Sequence, residues 1–440
     1  MNGEQAVAEE ARTRAGGRRD VRWNYVAHSL EGGLFLGALT FVSATTLLPT
    51  IVRSLGGPDW LVSLMPIMMA SGVLLPPIFT AHAIDRLHRY MPLLLVTGVF
   101  QRLPYLLAGL ALLYGARESP TLALAAAALA PLVSGVACGV SYTAWQQLLI
   151  RTVPQGRRSS LFAVRCVLCC GLGLFGGWAA KAILAAWPGT VGYGLLHLCA
   201  FGLLAGSYVF FAMIREAPGD APPPERHPGL IANLRAMPGI IRRQRQLALY
   251  LAACVFLNGM LIMVPFLAIH ARQSLGRPES WLGELVVAQM VGAVLGNVLA
   301  GWMGDRFGGK AVLMTSAVLS AGMAAGAAVA GSDLAFRAIF FALGFTSFAQ
   351  MIGGMTLSLE ICPPAQRGTC LAIISFVRLV AMVAATQVSA AIGNGDGRFA
   401  YAAAAACGSV LIALVLLAVL REPRLRAGPP DALELPARPS

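Results

Sequence analysis

Twelve stretches of this chain are apolar over the roughly 20 residues that a spanning helix needs, and polar turns separate one from the next. They cover positions 28–51, 60–82, 91–114, 121–147, 159–185, 190–214, 247–270, 281–303, 311–331, 334–359, 368–392 and 398–420. A polar, arginine-rich segment precedes the first and is expected to be disordered. The longest hydrophilic connection carries Pro218, Pro222, Pro223, Pro224 and Pro228, and its basic piece around 230–247 suits a membrane surface. The pattern predicts an all-α membrane protein with twelve transmembrane helices in two six-helix bundles. Its parts are an N-terminal tail over 1–22, a first bundle over 23–214, a linker over 215–246, a second bundle over 247–420 and a Pro-rich tail over 421–440.

Composition agrees with this reading. The 440 residues are 57% hydrophobic and 12% charged, with a mean hydropathy of +0.70, which excludes an ordinary soluble domain. The formal charge of +13 raises the question of nucleic acid, but the bases concentrate in alternate loops, while the opposite loops hold only scattered ones such as Arg53, Arg117, Arg272, Arg277 and Arg398. Arg12, Arg14, Arg18, Arg19 and Arg22 precede the first span, Arg86 and Arg89 follow the second, and Arg151, Arg157 and Arg158 follow the fourth. Arg215, Arg226, Arg235, Arg242, Arg243 and Arg245 follow the sixth, Arg306 and Lys310 the eighth, and Arg421, Arg424 and Arg426 the last. The positive-inside rule then puts both termini in the cytoplasm. No basic patch is interleaved with aromatics, so no nucleic-acid partner is expected. Residues 1–22 lack an apolar run, and the first span reads as an uncleaved anchor.

All nine cysteines fall inside predicted helices or at their cytoplasmic ends. Cys166, Cys169 and Cys170 share a helix face, but no His or carboxylate flanks them, so they read as packing residues. The histidines His28, His82, His88, His197, His227 and His270 are scattered, and no nucleophile-base pair or phosphate loop can be assembled. The reading is therefore not an enzyme, with no catalytic residue, no metal, no cofactor and no disulfide.

One turn concentrates what the spans lack: Gly301-Trp302-Met303-Gly304-Asp305-Arg306-Phe307-Gly308-Gly309-Lys310. Its glycines can supply positive φ and close helix approach. Asp305 can cap a neighbouring helix or pair with an arginine, and Arg306 and Lys310 would face the inner leaflet. A weaker copy runs from Ala81 to Tyr90 and places Asp85 220 positions before Asp305. At almost the same offset, the run Ser54 to Leu61 is echoed by Ser274 to Leu282. Two landmarks in one register indicate an internal duplication.

Charge inside a span costs several kcal/mol unless it meets water or a partner. The deep candidates are Glu31, Arg102, Arg165 and Arg378, whereas Lys181, Glu284, Arg337 and Glu360 lie near an edge and read as interfacial. Polar candidates for a cavity are Asn258, Gln289, Asn297 and Gln350; Gln289 and Asn297 share a face of the eighth span. Glu31 reads equally as a protonatable coupling group or as a fixed counter-ion, with a cation anchor as the third option. Asn258 is placed opposite Glu31 about the pseudo-twofold axis, in an alignment that needs a gap. Three deep arginines against one carboxylate predict an electropositive cavity for an anionic solute, since a guanidinium fork suits carboxylate or phosphate.

The turn around Asp305 closely resembles the loop signature of the major facilitator superfamily, with Gly309 where a base is usual. His88, Arg89 and Tyr90 replace the usual pattern in the first copy. The resemblance implies two six-helix halves around one central site, alternating access, and a cytoplasmic gate built from Asp85, Arg86, Gly301, Asp305, Arg306, Gly308 and Lys310. The region from Glu31 to Leu61 is similar to poorly characterised bacterial members, which implies the bacterial inner membrane. The implied protein is a secondary transporter of a small solute, expected as a monomer in the lipid bilayer, with a proton as candidate coupling ion. The alternative is an efflux pump for drugs or amphiphilic metabolites. Against drug/proton antiport, the fourth span lacks an intramembrane Arg followed by Gly, and the glycines from Gly171 to Gly177 lack the proline of antiporters. A multispanning enzyme or receptor is the remote alternative.

Overall fold

The computed structural model describes residues 3–76, 80, 87–116, 118–216, 239, 244–362, 367–393 and 398–421. Every regular element among them is helical, as lipid requires of a chain that must satisfy its backbone hydrogen bonds internally. Ten helices are long and apolar enough to span a bilayer. One of these, Trp281–Val329, is two spans joined at Gly308, and a shorter apolar helix, Asp59–Leu74, adds another, which gives the twelve expected. In chain order they are α1 Asp20–Ser54, α2 Asp59–Leu74, α3 Met91–Gly115, α4 Pro120–Thr152, α5 Gln155–Ala186 and α6 Thr190–Ala212. The second half comprises α7 Arg245–Ser274, α8 over 281–307, α9 over 309–329, α10 Asp333–Ile361, α11 Arg367–Ile392 and α12 Arg398–Val419.

The duplication is visible in the backbone. A 3-10 turn interrupts α1 at Leu39–Val42, and another interrupts α7 at Asn258–Ile262, in the register of the repeat. Past each helix end, at Gly56 and Gly276, φ is positive. An ion pair then ties each helix to the next turn: Arg53 to Asp59, and Arg272 to Glu279 at 3.0 Å. This register corrects one expectation. Asn258 begins the 3-10 turn of α7 and so corresponds to the turn of α1 at Leu39, not to Glu31 two turns earlier.

Two further expectations change. The segment before α1 is helical from Gly3 and runs unbroken into Ala38. Glu4, Gln5, Ala6, Ala8 and Ala11 are strong helix formers, and extending an existing helix needs no new nucleus. In the turn at Asp305, only Gly308 takes a positive φ, at 87°; Gly301 and Gly304 remain helical within α8. The linker over 217–238 and 240–243, the tail over 422–440, and Asp85 and Arg86 lie outside the described residues.

The two halves join at the ends of the helices away from the termini. Lys181 of α5 pairs with Glu284 of α8 at 2.8 Å, and Glu284 also binds Arg337 of α10 at 2.6 Å. The Gly189 amide donates to Glu279 at 2.8 Å, and the Arg53 guanidinium lies over Phe266 of α7 at 5.6 Å. Beneath this layer α5 and α8 meet backbone to backbone: a Cβ added to Gly283 would sit 2.4 Å from the Lys181 nitrogen. Such small-residue contacts are the usual glue between helices in lipid, where apolar surface gains nothing by leaving its solvent.

Candidate functional site

The deep charges separate into two regions. In the first half, Glu31 of α1 is 6% exposed and lies between two arginines, with Arg165 of α5 at 3.4 Å and Arg102 of α3 at 4.0 Å. Arg102 spends its fork on the scaffold. Its Nε donates to the Leu204 carbonyl at 3.0 Å, Nη1 to the Gly98 carbonyl at 2.9 Å and Nη2 to the Ser207 hydroxyl at 3.0 Å. Phe35, Tyr208 and Phe211 surround its charged carbon with ring centroids at 5.2–5.9 Å. Arg165 is 8% exposed, lies 5.1 Å from the Trp145 ring, and presses against Gly32, where any Cβ would overlap the guanidinium. The cluster joins α1, α3, α5 and α6, with the Glu31 carboxylate between the two guanidinium groups.

In the second half, Arg378 of α11 lines an open cleft. Tyr250, Cys254, Leu257 and Asn258 of α7, Leu313 of α9, and Gln350 and Gly354 of α10 complete the wall. The polar groups are held in place by their own helices and neighbours. Asn258 donates to the Cys254 carbonyl at 2.8 Å, Gln350 to the Ser320 hydroxyl at 3.2 Å, and Tyr250 to the Gly354 carbonyl at 3.1 Å. Arg378 is half-buried and has neither a carboxylate within 4.0 Å nor a hydrogen-bond acceptor among the described residues. The titratable neighbours that feel its charge are the Tyr250 hydroxyl and the Cys254 thiol. Among the described residues it is the one charged group in the cleft wall.

Of the eight candidate site residues, then, Asn258, Gln350 and Arg378 converge on the cleft, and Glu31, Arg102 and Arg165 converge on the first-half cluster. Gln289 and Asn297 belong to neither. Gln289 accepts from Thr46 at 3.1 Å and donates to Thr45 at 3.0 Å, which joins α8 to α1 across the two halves. Asn297 donates to the Cys166 sulfur across the α5–α8 seam.

The turn between α8 and α9 is held within the second half. Lys310 donates to the carbonyls of Leu420 and Ala418 at the end of α12. Glu360 accepts from the Gly309 amide at 3.4 Å. The missing base at Gly309 has a steric reason, because a Cβ there would lie 2.4 Å from the Leu357 nitrogen of α10. Arg306 lies 5.5 Å from the Phe307 ring.

Sequence reasoning missed three contributors. His28 is fully buried one turn before Glu31 and hydrogen-bonds Thr152 at 2.9 Å; its i, i+3 spacing to Glu31 was the available signal. Tyr250 stands eight positions before Asn258 on one helical face. Glu216, next to a base already counted, accepts from the Tyr90 and Met91 amides at 2.9 Å and so caps α3, while Arg151 of α4 approaches it at 3.5 Å.

Residues 249–439 match the sequence profile of the family described as the Major Facilitator Superfamily. The glucose facilitated diffusion protein of Zymomonas mobilis is 33% identical over 96 residues, so the chain spans only 20% of the length of this curated relative, with 20% of its own. Among solved structures, a mutant of the nucleoside transporter NupG superposes with a TM-score of 0.70 at 12% identity, over 91% of this chain and 100% of that one. A D-xylose-proton symporter gives 0.62 at 16%, over 92% and 99%. The human organic anion transporter MFSD10 gives 0.59 at 16%, over 91% and 99%. Likenesses at these identities show the fold, and the fold runs through both halves, while the profile carries the second. Residues 249–439 thus carry the profile of the Major Facilitator Superfamily, and the whole chain shares the fold of these solved transporters.

Proposed function

We propose that this protein is a secondary transporter that moves a small organic anion across the bacterial inner membrane by alternating access. One observation carries the substrate class: Arg378, near the middle of its span, has no anionic partner among the described residues and faces a cleft whose other described polar groups are neutral. A guanidinium left unpaired at that depth is costly and stays favourable only against water or an anion. Tyr250, Asn258 and Gln350 would orient the remainder of the solute, whose carboxylate or phosphate would take the Arg378 fork. Glu31 supports the same reading, since it is buried and two arginines already lie within 4.0 Å of its carboxylate.

With both termini cytoplasmic, the joined ends of the two halves face outward, and the cleft opens inward. The polar contacts at the opposite ends support this: among the described residues, Arg215 with Asp20 at 2.5 Å, Glu216 with α3 and Lys310 with α12 all stay within one half. Asp305, Arg306 and Lys310, with Asp85 and Arg86, would close that side when the protein faces outward. Any coupled proton would use Glu31, and the protein would act as a monomer in the bilayer.

The test is a thermal-shift screen of purified protein with organic anions, organic cations and neutral sugars or nucleosides. Stabilisation by anions that is lost in Arg378→Gln, followed by uptake of the same anion into proteoliposomes, is the expected result. Stabilisation by cations alone would reject the anionic substrate and favour the efflux-pump reading.

A further inference from the structure

The two halves place different groups at one equivalent position. Glu31 stands eight residues before the 3-10 turn of α1 at Leu39, and Tyr250 stands eight residues before the 3-10 turn of α7 at Asn258. The first half sets its own carboxylate against Arg165 and Arg102; the second offers a neutral hydroxyl and leaves Arg378 without a carboxylate among the described residues. The missing charge has room to enter. A Cβ on Gly354 of α10 would stand 3.8 Å from the Tyr250 hydroxyl oxygen and 3.9 Å from Arg378 Nη1. Leaving aside the chain of α10 itself, no other described heavy atom lies within 4 Å of that point. Two donors on different helices thus look onto one bare patch of α10.

Both donors can turn to a ligand. Arg378 has no hydrogen-bond acceptor among the described residues. The Gly354 carbonyl accepts from Ser358 at 2.6 Å as well as from Tyr250 at 3.1 Å, so the Tyr250 proton can leave it without orphaning that carbonyl. Donors that both lie within 4 Å of one point are close enough for the two oxygens of a single carboxylate to bridge them, each in a charge-assisted hydrogen bond. The one guanidinium balances one negative charge, whereas a dianion would bring a second that no described residue of the wall compensates. We propose that Gly354 is a specificity-determining residue: the patch it leaves bare receives the carboxylate of a monocarboxylate solute, one oxygen on the Arg378 guanidinium and the other on the Tyr250 hydroxyl. This role rests on the anion reading of the cleft, narrows it from carboxylate or phosphate to a single carboxylate, and gives Tyr250 to the anionic head. The solute then supplies the charge that Glu31 supplies in the first half. A methyl group on residue 354 would fill the patch at ordinary contact distances, in a helix where alanine is favoured over glycine, so the fold tolerates it and the carboxylate does not.

The test is titration calorimetry on the full-length purified protein with acetate, lactate, benzoate and octanoate, with lactamide and benzamide as neutral counterparts and succinate and inorganic phosphate as dianions. At least one monocarboxylate is expected to bind, ahead of the amides and of both dianions. Gly354→Ala should weaken that binding by about tenfold or more, the loss expected when a charge-assisted hydrogen bond is blocked, while the melting temperature of the ligand-free protein stays unchanged or rises. Tyr250→Phe keeps the ring, should weaken binding by about tenfold, and decides the matter if Gly354→Ala fails to fold. Binding that is lost in Arg378→Gln but kept in Gly354→Ala would overturn the role of Gly354 and leave the anion reading standing. Preference for succinate or phosphate would overturn the monocarboxylate and spare the anion. If the amides bind as well as the acids, or no anion binds, the anion reading falls and the role of Gly354 falls with it.

Discussion

The two halves of this protein each hold arginine deep in the membrane, and they treat it in opposite ways. Arg102 in the first half is 3% exposed, and its fork is consumed by two carbonyls and a hydroxyl, with Glu31 close by. Arg378 in the second half faces a cleft and, among the described residues, no carboxylate. Depth in a span therefore does not identify a substrate residue. What separates the two is the presence of acceptors on neighbouring helices, because a buried charge must be compensated by whatever lies nearest.

The largest effect should come from upsetting the cluster around Glu31. Replacing Glu31 with Gln leaves two buried guanidinium groups against a neutral amide, and removing one partner of a buried ion pair typically costs about 3–5 kcal/mol. A marked fall in melting temperature is expected, together with loss of transport. An unchanged melting temperature with abolished transport would move Glu31 from counter-ion to coupling group.

The cleft should respond in the reverse sense. Arg378→Gln should leave the melting temperature of the ligand-free protein unchanged or higher, because it removes an uncompensated charge. Anion affinity should drop by about 10–100-fold, the equivalent of one charge-assisted hydrogen bond of roughly 1.5–3 kcal/mol. Isothermal titration with the anion found in the screen reads this directly. A variant that unfolds would give Arg378 a structural role like that of Arg102 and erase the contrast.

Smaller effects test the seam between the halves. Gly283→Ala puts a Cβ 2.4 Å from the Lys181 nitrogen, and overpacking of this kind costs about 1–3 kcal/mol. The population should shift away from the state in which these ends are joined, which distance measurements between spin labels on α5 and α8 would show as a longer separation. Gln289→Ala removes the hydrogen bonds to Thr45 and Thr46, each worth about 0.5–1.5 kcal/mol, and should shift the same distribution less. Lys181→Ala breaks an ion pair that is 53% exposed on the lysine side, so its effect should be smallest, within about 1 kcal/mol and weaker in high salt.

Much of the architecture could be read before any coordinates. Span length follows from the thickness of the bilayer, which is read from short stretches of chain. The repeat needed only the aspartates at Asp85 and Asp305 and the echo of Ser54 to Leu61. The gapped match of Asn258 to Glu31 failed because an equivalence inside a featureless apolar run has no turn to anchor it. The 3-10 turns at Leu39–Val42 and Asn258–Ile262 supply that anchor only in three dimensions.

The candidate site was legible as an inventory and not as an arrangement. The sequence alone determined that the chain is a twelve-span bundle of two related halves carrying four deep charges, because hydrophobic length and charge sign are counted along the chain. Only the tertiary structure decided that Glu31 belongs to Arg165 and Arg102, that Asn297 and Gln289 serve the seam, and that Arg378 is left facing a cleft. Those outcomes depend on which helices become neighbours, and residues far apart in sequence meet only once the helices have packed.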